Sequence, residues 1–276
     1  MLQNLAELLK PAREQGYAVA CFNIFGYEDA LAVVRAAEQR QASVILSINL
    51  DMSEFMPLEH IIAMFKPLAE STAAPVCLHL DHTYDINSVK RAIDLGFTSV
   101  MYDCSQKSIG ENIDGIADVV AYAADKRVSV EAEVGSVPYA SGRDHIKSAL
   151  TDIDEARAME IEGNPDALAI SIGNVHRLEN GCADINFDHF RSIREAIGIP
   201  LVIHGASGIE SADIQKLAQS GVCKFNIGTN LRKRFGTAMR ETLESDPTLF
   251  DRLTIMRRII PELKDEAGRM IELLGQ

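Results

Sequence analysis

The sequence has no apolar run long enough to span a bilayer and no Cys-x-x-Cys pair. A membrane-spanning helix needs about 18 consecutive apolar residues, and no stretch of the chain approaches that length. The five cysteines are scattered, and four of them lie in or beside strand-like runs, which is typical of reduced thiols. The amphipathic start, MLQNLAELLKPAREQG, has neither the apolar centre nor the cleavage site of a signal peptide. These absences predict a cytoplasmic protein.

Basic residues are also scarce. The chain has 27 lysines and arginines against 40 aspartates and glutamates, which gives a net charge of −13. Nucleic acid and anionic membranes repel such a protein, so neither is expected as a partner. A phosphorylated small molecule is still compatible with this charge, because backbone N–H groups and single cations bind phosphate locally.

The Gly-x-Gly-x-x-Gly motif of dinucleotide-binding folds is missing after the first strand-like run, which ends in CFNIFGYED. A doubly wound open sheet normally carries this motif and has fewer strands, so it is the second choice for the fold. Eight apolar, β-like runs alternate with amphipathic helical segments over 276 residues, as expected for a (β/α)8 TIM barrel. The runs span residues 17–24, 43–48, 75–81, 99–104, 128–134, 167–173, 200–205 and 223–228.

No feature of the chain marks a domain boundary. The composition does not shift, and there is no linker or low-complexity segment. Residues 1–276 are therefore predicted to form a single TIM-barrel domain. An N-terminal helix precedes the first strand, and the segment from about residue 245 onward adds C-terminal helices beyond the eighth unit.

Polar side chains gather at the C-terminal ends of the predicted strands, the face on which TIM barrels build their active sites. They are Asn23, Asp81, His82, Asp103, Glu133, His176, His204 and Asn226. Three neutral imidazoles with an open fourth position form a catalytic zinc arrangement, so His82, His176 and His204 are candidate ligands of one ion. Taken singly, each histidine also fits a structural residue at a strand end.

Carboxylates accompany these histidines. Asp81 directly precedes His82, where it can orient that ligand or act as a general acid/base. Asp103 and Glu133 fit a second metal position, hydrogen-bond partners of the ligands, or solvated acids at strand ends. His79 has the same strand parity as Asp81, which favours a structural place in the barrel interior.

Two loops resemble phosphate sites. HGASGI (204–209) offers small residues that let backbone N–H groups approach an anion, and FNIGTN (225–230) ends the last strand and opens a helix. In TIM barrels the loops after strands seven and eight often bind phosphate.

Taken in order, FNI, LHLDH, VEAEVG, SIGNVH, LVIHGASG and NIGT resemble the motifs of the class II, metal-dependent ketose-bisphosphate aldolases, which act on fructose or tagatose bisphosphate and related sugars. The resemblance covers essentially the whole chain. It implies a carbon–carbon lyase in which His82, His176 and His204 bind one catalytic Zn²⁺ per subunit. It also implies that Asp81 is the acid/base for the hydroxyl beside the broken bond.

The resemblance assigns further roles. Glu133 matches an acid that holds an alternative metal position, and Asp103 matches another acid near it. Dihydroxyacetone phosphate is expected to bind at Asn23, Gly205, Ser207, Asn226 and Thr229. Members are usually homodimers or homotetramers, often with a monovalent cation near the phosphate. Arg257 matches an arginine that reaches a neighbouring subunit's substrate, although it also fits a solvated helix arginine.

The chemistry agrees with a metal route. Aldol cleavage leaves negative charge on a ketone-derived fragment, which Zn²⁺ stabilises as a Lewis acid while Asp81 takes the hydroxyl proton. The rival mechanism needs a Schiff-base lysine at the end of an inner strand. None is found there, because Lys224 is predicted to open strand eight and Lys107 lies beyond strand four. Two other functions stay open: a metal-dependent sugar hydrolase or isomerase, and a non-catalytic sugar-phosphate-binding barrel.

Three segments depart from the family pattern. After SIGNVH, Arg177 and the next four residues replace a Gly, an aromatic and a Lys that help to hold phosphate and the cation. The loop after strand five lacks the family's catalytic Glu, and its proton-transfer role has three candidates: Tyr139, Asp144 and His145. After strand two, Asp51 would repel a second phosphate. These changes predict that dihydroxyacetone phosphate or a close relative is kept as donor and that the acceptor aldehyde differs.

Overall fold

Eight parallel strands form a closed barrel in the computed structural model, which describes every residue except Gly142 and Asp144. The strands are β1 (Val19–Asn23), β2 (Val44–Ile48), β3 (Val76–Thr83), β4 (Ser99–Tyr102), β5 (Ser129–Val134), β6 (Ala167–Ile170), β7 (Leu201–Ile203) and β8 (Val222–Ile227). Each strand pairs with the next, and β1 also pairs with β8, so that Val19 lies opposite Lys224. The predicted (β/α)8 barrel is therefore confirmed, since a closed barrel has no edge strand whereas an open sheet has two.

Helices surround the barrel. They are α1 (Leu5–Gln15), α2 (Tyr27–Arg40), α3 (Leu50–Phe55), α4 (Leu58–Ser71), α5 (Ile86–Leu95), α6 (Ile109–Ala123), α7 (Ile153–Ala158), α8 (Phe187–Ala196), α9 (Ser211–Gln219), α10 (Thr229–Ser245) and α11 (Arg252–Leu273). α1 precedes the first strand and α10 and α11 follow the last, as predicted. Among the residues that the structure describes, no helix is long and apolar enough to cross a membrane.

Alternate residues of the strands enter two different apolar clusters. In β1, Ala20 and Phe22 point outward into the layer between barrel and helices. Val19 and Cys21 point inward, where they pack with side chains of α1. This alternation follows from the two-residue period of a strand. Together with α1, the inward apolar residues fill the N-terminal end of the barrel and leave its other end for polar groups.

The middle of the barrel is polar and sealed from solvent. His79, Glu131 and Lys224 are all 0 % exposed. His79 occupies the interior position predicted for it, and its Nδ1 lies 2.8 Å from the Ser99 hydroxyl. The prediction that Lys224 opens β8 is wrong. The strand begins two residues earlier at Val222, and the lysine is buried within the barrel.

Candidate active site

Asp81 and His82 are consecutive residues of β3, yet both line the cavity at the C-terminal mouth of the barrel. Consecutive strand residues normally point to opposite faces. Here the pairing of β3 with β4 shifts register between Leu80 and Thr83, and His82 has a φ of 40°. Residues other than glycine rarely adopt this left-handed conformation, and surrounding contacts must hold it. The irregularity delivers a carboxylate and an imidazole to one site.

Three buried histidines meet beside Asp81. One ring nitrogen from each of His82, His176 and His204 lies within 4.8 Å of the others. His82 Nε2 and His204 Nδ1 are 2.7 Å apart, and His176 Nε2 has no hydrogen-bond partner among the described residues. A buried nitrogen left without a partner is costly unless a ligand takes that place. This donor set fits a zinc ion, which favours imidazole nitrogens in tetrahedral geometry.

Two carboxylates fix the orientation of these rings. Asp103 Oδ2 lies 2.7 Å from His82 Nδ1, and Glu131 Oε1 lies 2.9 Å from His204 Nε2. Each contact occupies one ring nitrogen and leaves the other directed into the histidine cluster, as in carboxylate–histidine–metal sites. Lys224 Nζ lies 2.8 Å from Glu131 Oε2, so the positive charge of this buried lysine balances the negative charge of the Glu131 carboxylate.

Charge is distributed unevenly over the three imidazoles. Burial opposes protonation of His82, but the carboxylates of Asp81 and Asp103 outweigh it and raise the pKa of His82 to about 9. Burial, followed by the charge of His82, lowers the pKa of His176 and that of His204 well below the usual value. A proton shared between His82 Nε2 and His204 Nδ1 accounts for the 2.7 Å contact of these two nitrogens. Metal binding replaces such protons, because ligating nitrogens must offer their lone pairs.

The loops after β5 and β6 hold His176 in place. The His176 amide donates to Pro138 O at 2.8 Å, and the Ala140 amide donates to His176 O at 2.9 Å. Between these contacts, the Tyr139 ring stacks on the imidazole with centroids 4.4 Å apart. The buried Asn174 side chain donates to His204 O at 2.9 Å, which ties the same loop to the end of β7.

Asp81 lies between two amide donors at the cavity floor. Asn23 Nδ2 and Asn226 Nδ2 donate to its two carboxylate oxygens at 3.2 and 3.1 Å. Burial opposes ionisation of Asp81, but the positive charges of His82 and Lys224 outweigh it and lower the pKa. Asp81 is therefore an ionised, nearly dry carboxylate, a state that suits a general base.

A second group of possible ligands consists of His82, Asp103 and Glu133, whose ligand atoms also lie within 4.8 Å of one another. Burial and the nearby Asp103 carboxylate raise the pKa of Glu133 to about 8. Glu133 Oε1 accepts from the Val137 amide at 3.2 Å, while its Oε2 has no partner in the described part of the chain. This arrangement fits an alternative position for a cation.

The predicted phosphate residues line the same cavity as Asp81 and His82: Gly205, Ser207, Asn226 and Thr229. Gly205 has a φ of 72°, and a Cβ there would lie 2.4 Å from Val175 O, so the close approach of the two loops requires glycine. Thr229 begins α10, whose N-terminal N–H groups face the mouth, and Arg232 of its first turn adds a positive charge to the cavity wall.

With this geometry in place, comparison with known proteins decides the family. The family model for the class-II fructose-bisphosphate aldolases matches residues 3–276. The chain belongs to the class II aldolase family. A 6-phospho-5-dehydro-2-deoxy-D-gluconate aldolase of Shouchella clausii is 34% identical over 274 residues, which cover 98% of this chain and 94% of the relative. A probable fructose-bisphosphate aldolase of Bacillus subtilis is 36% identical over 255 residues, covering 91% and 89%.

A solved structure agrees with the family. The crystal structure of the YdjI aldolase from Escherichia coli K12 matches with a TM-score of 0.88 and 30% identity, over 100% of this chain and 98% of that one. The predicted family, the fold and the carbon–carbon lyase class of a ketose-phosphate aldolase are confirmed. The hydrolase or isomerase and the non-catalytic barrel are not favoured.

Not every candidate of the sequence analysis lies in the aldolase cavity. Arg257 is exposed on α11 and is not among the lining residues. Tyr139 lines the cavity, His145 is exposed, and Asp144 lies outside the described residues. The proton-transfer role in this loop stays a prediction.

The sequence assigned no part in the site to four residues of this region: Glu131, Lys224, Arg143 and Arg232. The alternation in VEAEV carried a signal for Glu131, because it puts that residue on the same inward face as Glu133. Arg143 and Arg232 carry no such pattern, since loop and helix arginines are usually solvated.

Proposed function

We propose that this class II aldolase holds one Zn²⁺ per subunit on His82, His176 and His204 and cleaves and forms a C–C bond of a ketose phosphate. The observation that carries the proposal is the buried histidine cluster with the ionised Asp81 beside it. A bound zinc ion supplies Lewis-acid stabilisation for negative charge on the ketone-derived fragment. The second ligand group, with Asp103 and Glu133, supports an alternative position for the same ion.

The donor half of the substrate is dihydroxyacetone phosphate or a close relative. The substrate named for the Shouchella clausii relative has its ketone next to a phosphorylated carbon, as dihydroxyacetone phosphate does. Three features support a phosphate site in this chain: the Gly205–Ser207 turn, the α10 N-terminus at Thr229, and the guanidinium of Arg232. Asn23 and Asn226 hold Asp81 close to the same site.

Asp81 moves the proton of the reacting hydroxyl. In cleavage its carboxylate accepts that proton, the C–C bond breaks, and the electron pair stays on the ketone-derived fragment. That fragment must then gain a proton to leave as the ketone. The position of Tyr139 supports this second role, because its side chain lines the cavity and stacks on His176.

The assembly and compartment are proposed as well. Arg257 is exposed on α11, as a side chain that enters a neighbouring subunit's site must be, which supports a homodimer or homotetramer. A monovalent cation near the phosphate completes the proposed site. The five free cysteines, four of them buried, support a reducing cytoplasmic location.

The test combines metal analysis with cleavage of a panel of ketose mono- and bisphosphates. We expect about one zinc per subunit, and we expect cleavage of at least one ketose phosphate that stops with a chelator and returns with Zn²⁺. His204→Ala should lose zinc and activity together, whereas Arg191→Gln, in an exposed ion pair on α8, should keep both. Cleavage that resists chelation, or a fully active His204→Ala enzyme, would contradict the proposal.

A further inference from the structure

Asp51 is the centre of a charged cluster with Arg143 and Arg177, and the proposed bond-breaking chemistry uses none of these three residues. It lies in α3, just after β2. Its Oδ1 accepts from Arg143 Nη2 at 3.0 Å, and its Oδ2 accepts from Arg177 Nη2 at 2.5 Å. Both guanidinium carbons also lie 5.4 Å from the centroid of the Tyr139 ring. Two cations therefore converge on one carboxylate and one aromatic ring.

The cluster borders the catalytic cavity. Arg143, Arg177 and Tyr139 line it together with Asp81 and His82. The residues of the cluster follow β2, β5 and β6, whereas the proposed phosphate site follows β7 and β8. Because both sites line one cavity, a substrate whose phosphate binds after β7 and β8 can reach the arginine cluster with its aldehyde half.

The charge of the cluster selects among anions. Two guanidinium groups and one carboxylate leave a net charge of +1. The side chains of Arg143 and Arg177 are only 12% and 25% exposed, so solvent screens this charge less than on an open surface. A carboxylate on the substrate would neutralise the cluster, whereas a phosphate with a charge of about −2 would overcompensate it and be repelled by Asp51.

The geometry of the cluster also suits a carboxylate. Each guanidinium offers five N–H donors in a planar fork that matches a carboxylate, and Asp51 accepts one hydrogen bond from each arginine. Arg143 and Arg177 thus keep further donors for a second carboxylate.

We propose that Arg143 and Arg177, held in place by Asp51, recognise an acceptor aldehyde that carries a carboxylate. This inference rests on the proposed aldolase function and names the half of the substrate that the histidine cluster and the phosphate site leave open.

The test measures kcat/KM for condensation of dihydroxyacetone phosphate with matched aldehydes on the zinc-loaded enzyme. The carboxylate probes are 3-oxopropanoate and 4-oxobutanoate, and the comparison probes are methyl 4-oxobutanoate and glyceraldehyde 3-phosphate. We expect a carboxylate probe to exceed both comparison probes by about tenfold or more, the value of one charged hydrogen bond. Equal or better turnover of the ester or the phosphate would overturn the inference.

Variants separate recognition from a structural role. Arg177→Gln and Arg143→Gln should each lower kcat/KM for the carboxylate probes by about 10- to 100-fold and change the ester far less. Asp51→Asn raises the net charge of the cluster to +2, so the relative kcat/KM for glyceraldehyde 3-phosphate should rise. Arg191→Gln on α8 serves as the control arginine change. If all variants of the cluster slowed every aldehyde equally, the arginines would not select the acceptor.

A second readout distinguishes this inference from the proposed function. The enzyme should exchange deuterium from D₂O into dihydroxyacetone phosphate without any aldehyde, because that step involves only the donor half. Exchange without a carboxylate preference would overturn the inference and leave the aldolase function standing. If the zinc-loaded enzyme showed neither exchange nor condensation, the proposed function would be overturned and the inference with it.

Discussion

At the scale of single residues, Asp81 combines burial with ionisation. It is 3% exposed, and its two amide partners hold it beside the histidine cluster. Asp81→Asn removes the base and leaves the three histidines unchanged. We therefore expect zinc content to stay the same while single-turnover cleavage slows by about 10²- to 10⁴-fold, the usual contribution of a general acid/base.

Metal analysis and rapid-quench kinetics on the same preparation check this prediction. His204→Ala is the matched comparison, because it should lose the metal that the Asp81→Asn enzyme keeps. An Asp81→Asn enzyme with near-normal turnover would remove this residue from the mechanism.

The sequence predicted which residues would meet here but not how. His82, His176 and His204 were expected on one rim because they end three separate strands. Strict alternation, however, would send Asp81 and His82 to opposite faces. The register shift of β3 and the φ of 40° at His82 resolve this conflict, and both arise from contacts with other strands that no local pattern encodes.

At the scale of one element, β5 shows that a strand can supply both the site and its support. Glu131 and Glu133 are two residues apart and share the inward face, but Glu131 lies one level deeper and joins His204 to Lys224. Hydropathy alone did not reveal this pair, because Glu131 and Lys224 lie on different strands, 93 positions apart in the sequence. Pairing across the barrel has to be seen in three dimensions.

Glu131→Gln tests this support. The change weakens the hydrogen bond between His204 Nε2 and residue 131, and it leaves Lys224 as a buried charge without an ionic partner. We expect the zinc dissociation constant to rise by about 10- to 100-fold and the free energy of unfolding to fall by about 3 kcal/mol. Competition with a chromogenic chelator measures the first quantity, and urea unfolding of the metal-free protein measures the second.

The double variant Glu131→Gln/Lys224→Met separates the two effects. Removing the unpaired charge should recover most of the unfolding free energy without recovering zinc affinity. Wild-type zinc affinity in Glu131→Gln would show that Glu131 does not position His204.

At the scale of the whole molecule, the alternation of strands and helices sufficed to predict the barrel, because each unit repeats the same local pattern. The acceptor side was less accessible to prediction. Asp51 lies in α3, whereas Arg143 and Arg177 lie in the loops after β5 and β6, and only the closed barrel brings the three together. Asp51 was expected to repel a second phosphate, but its two arginine partners were not foreseen.

The proposed zinc site joins strands that are distant in sequence, so metal binding should stabilise the folded barrel as a whole. His82, His176 and His204 follow or end β3, β6 and β7, and an unfolded chain does not hold them together. With free zinc at about 100 times its dissociation constant, the gain is about 2.7 kcal/mol, or a rise in Tm of roughly 5–10 °C. Calorimetry with and without a chelator should show this shift in the wild type and none in His204→Ala. An equal shift in His204→Ala would place the stabilising metal outside the histidine cluster.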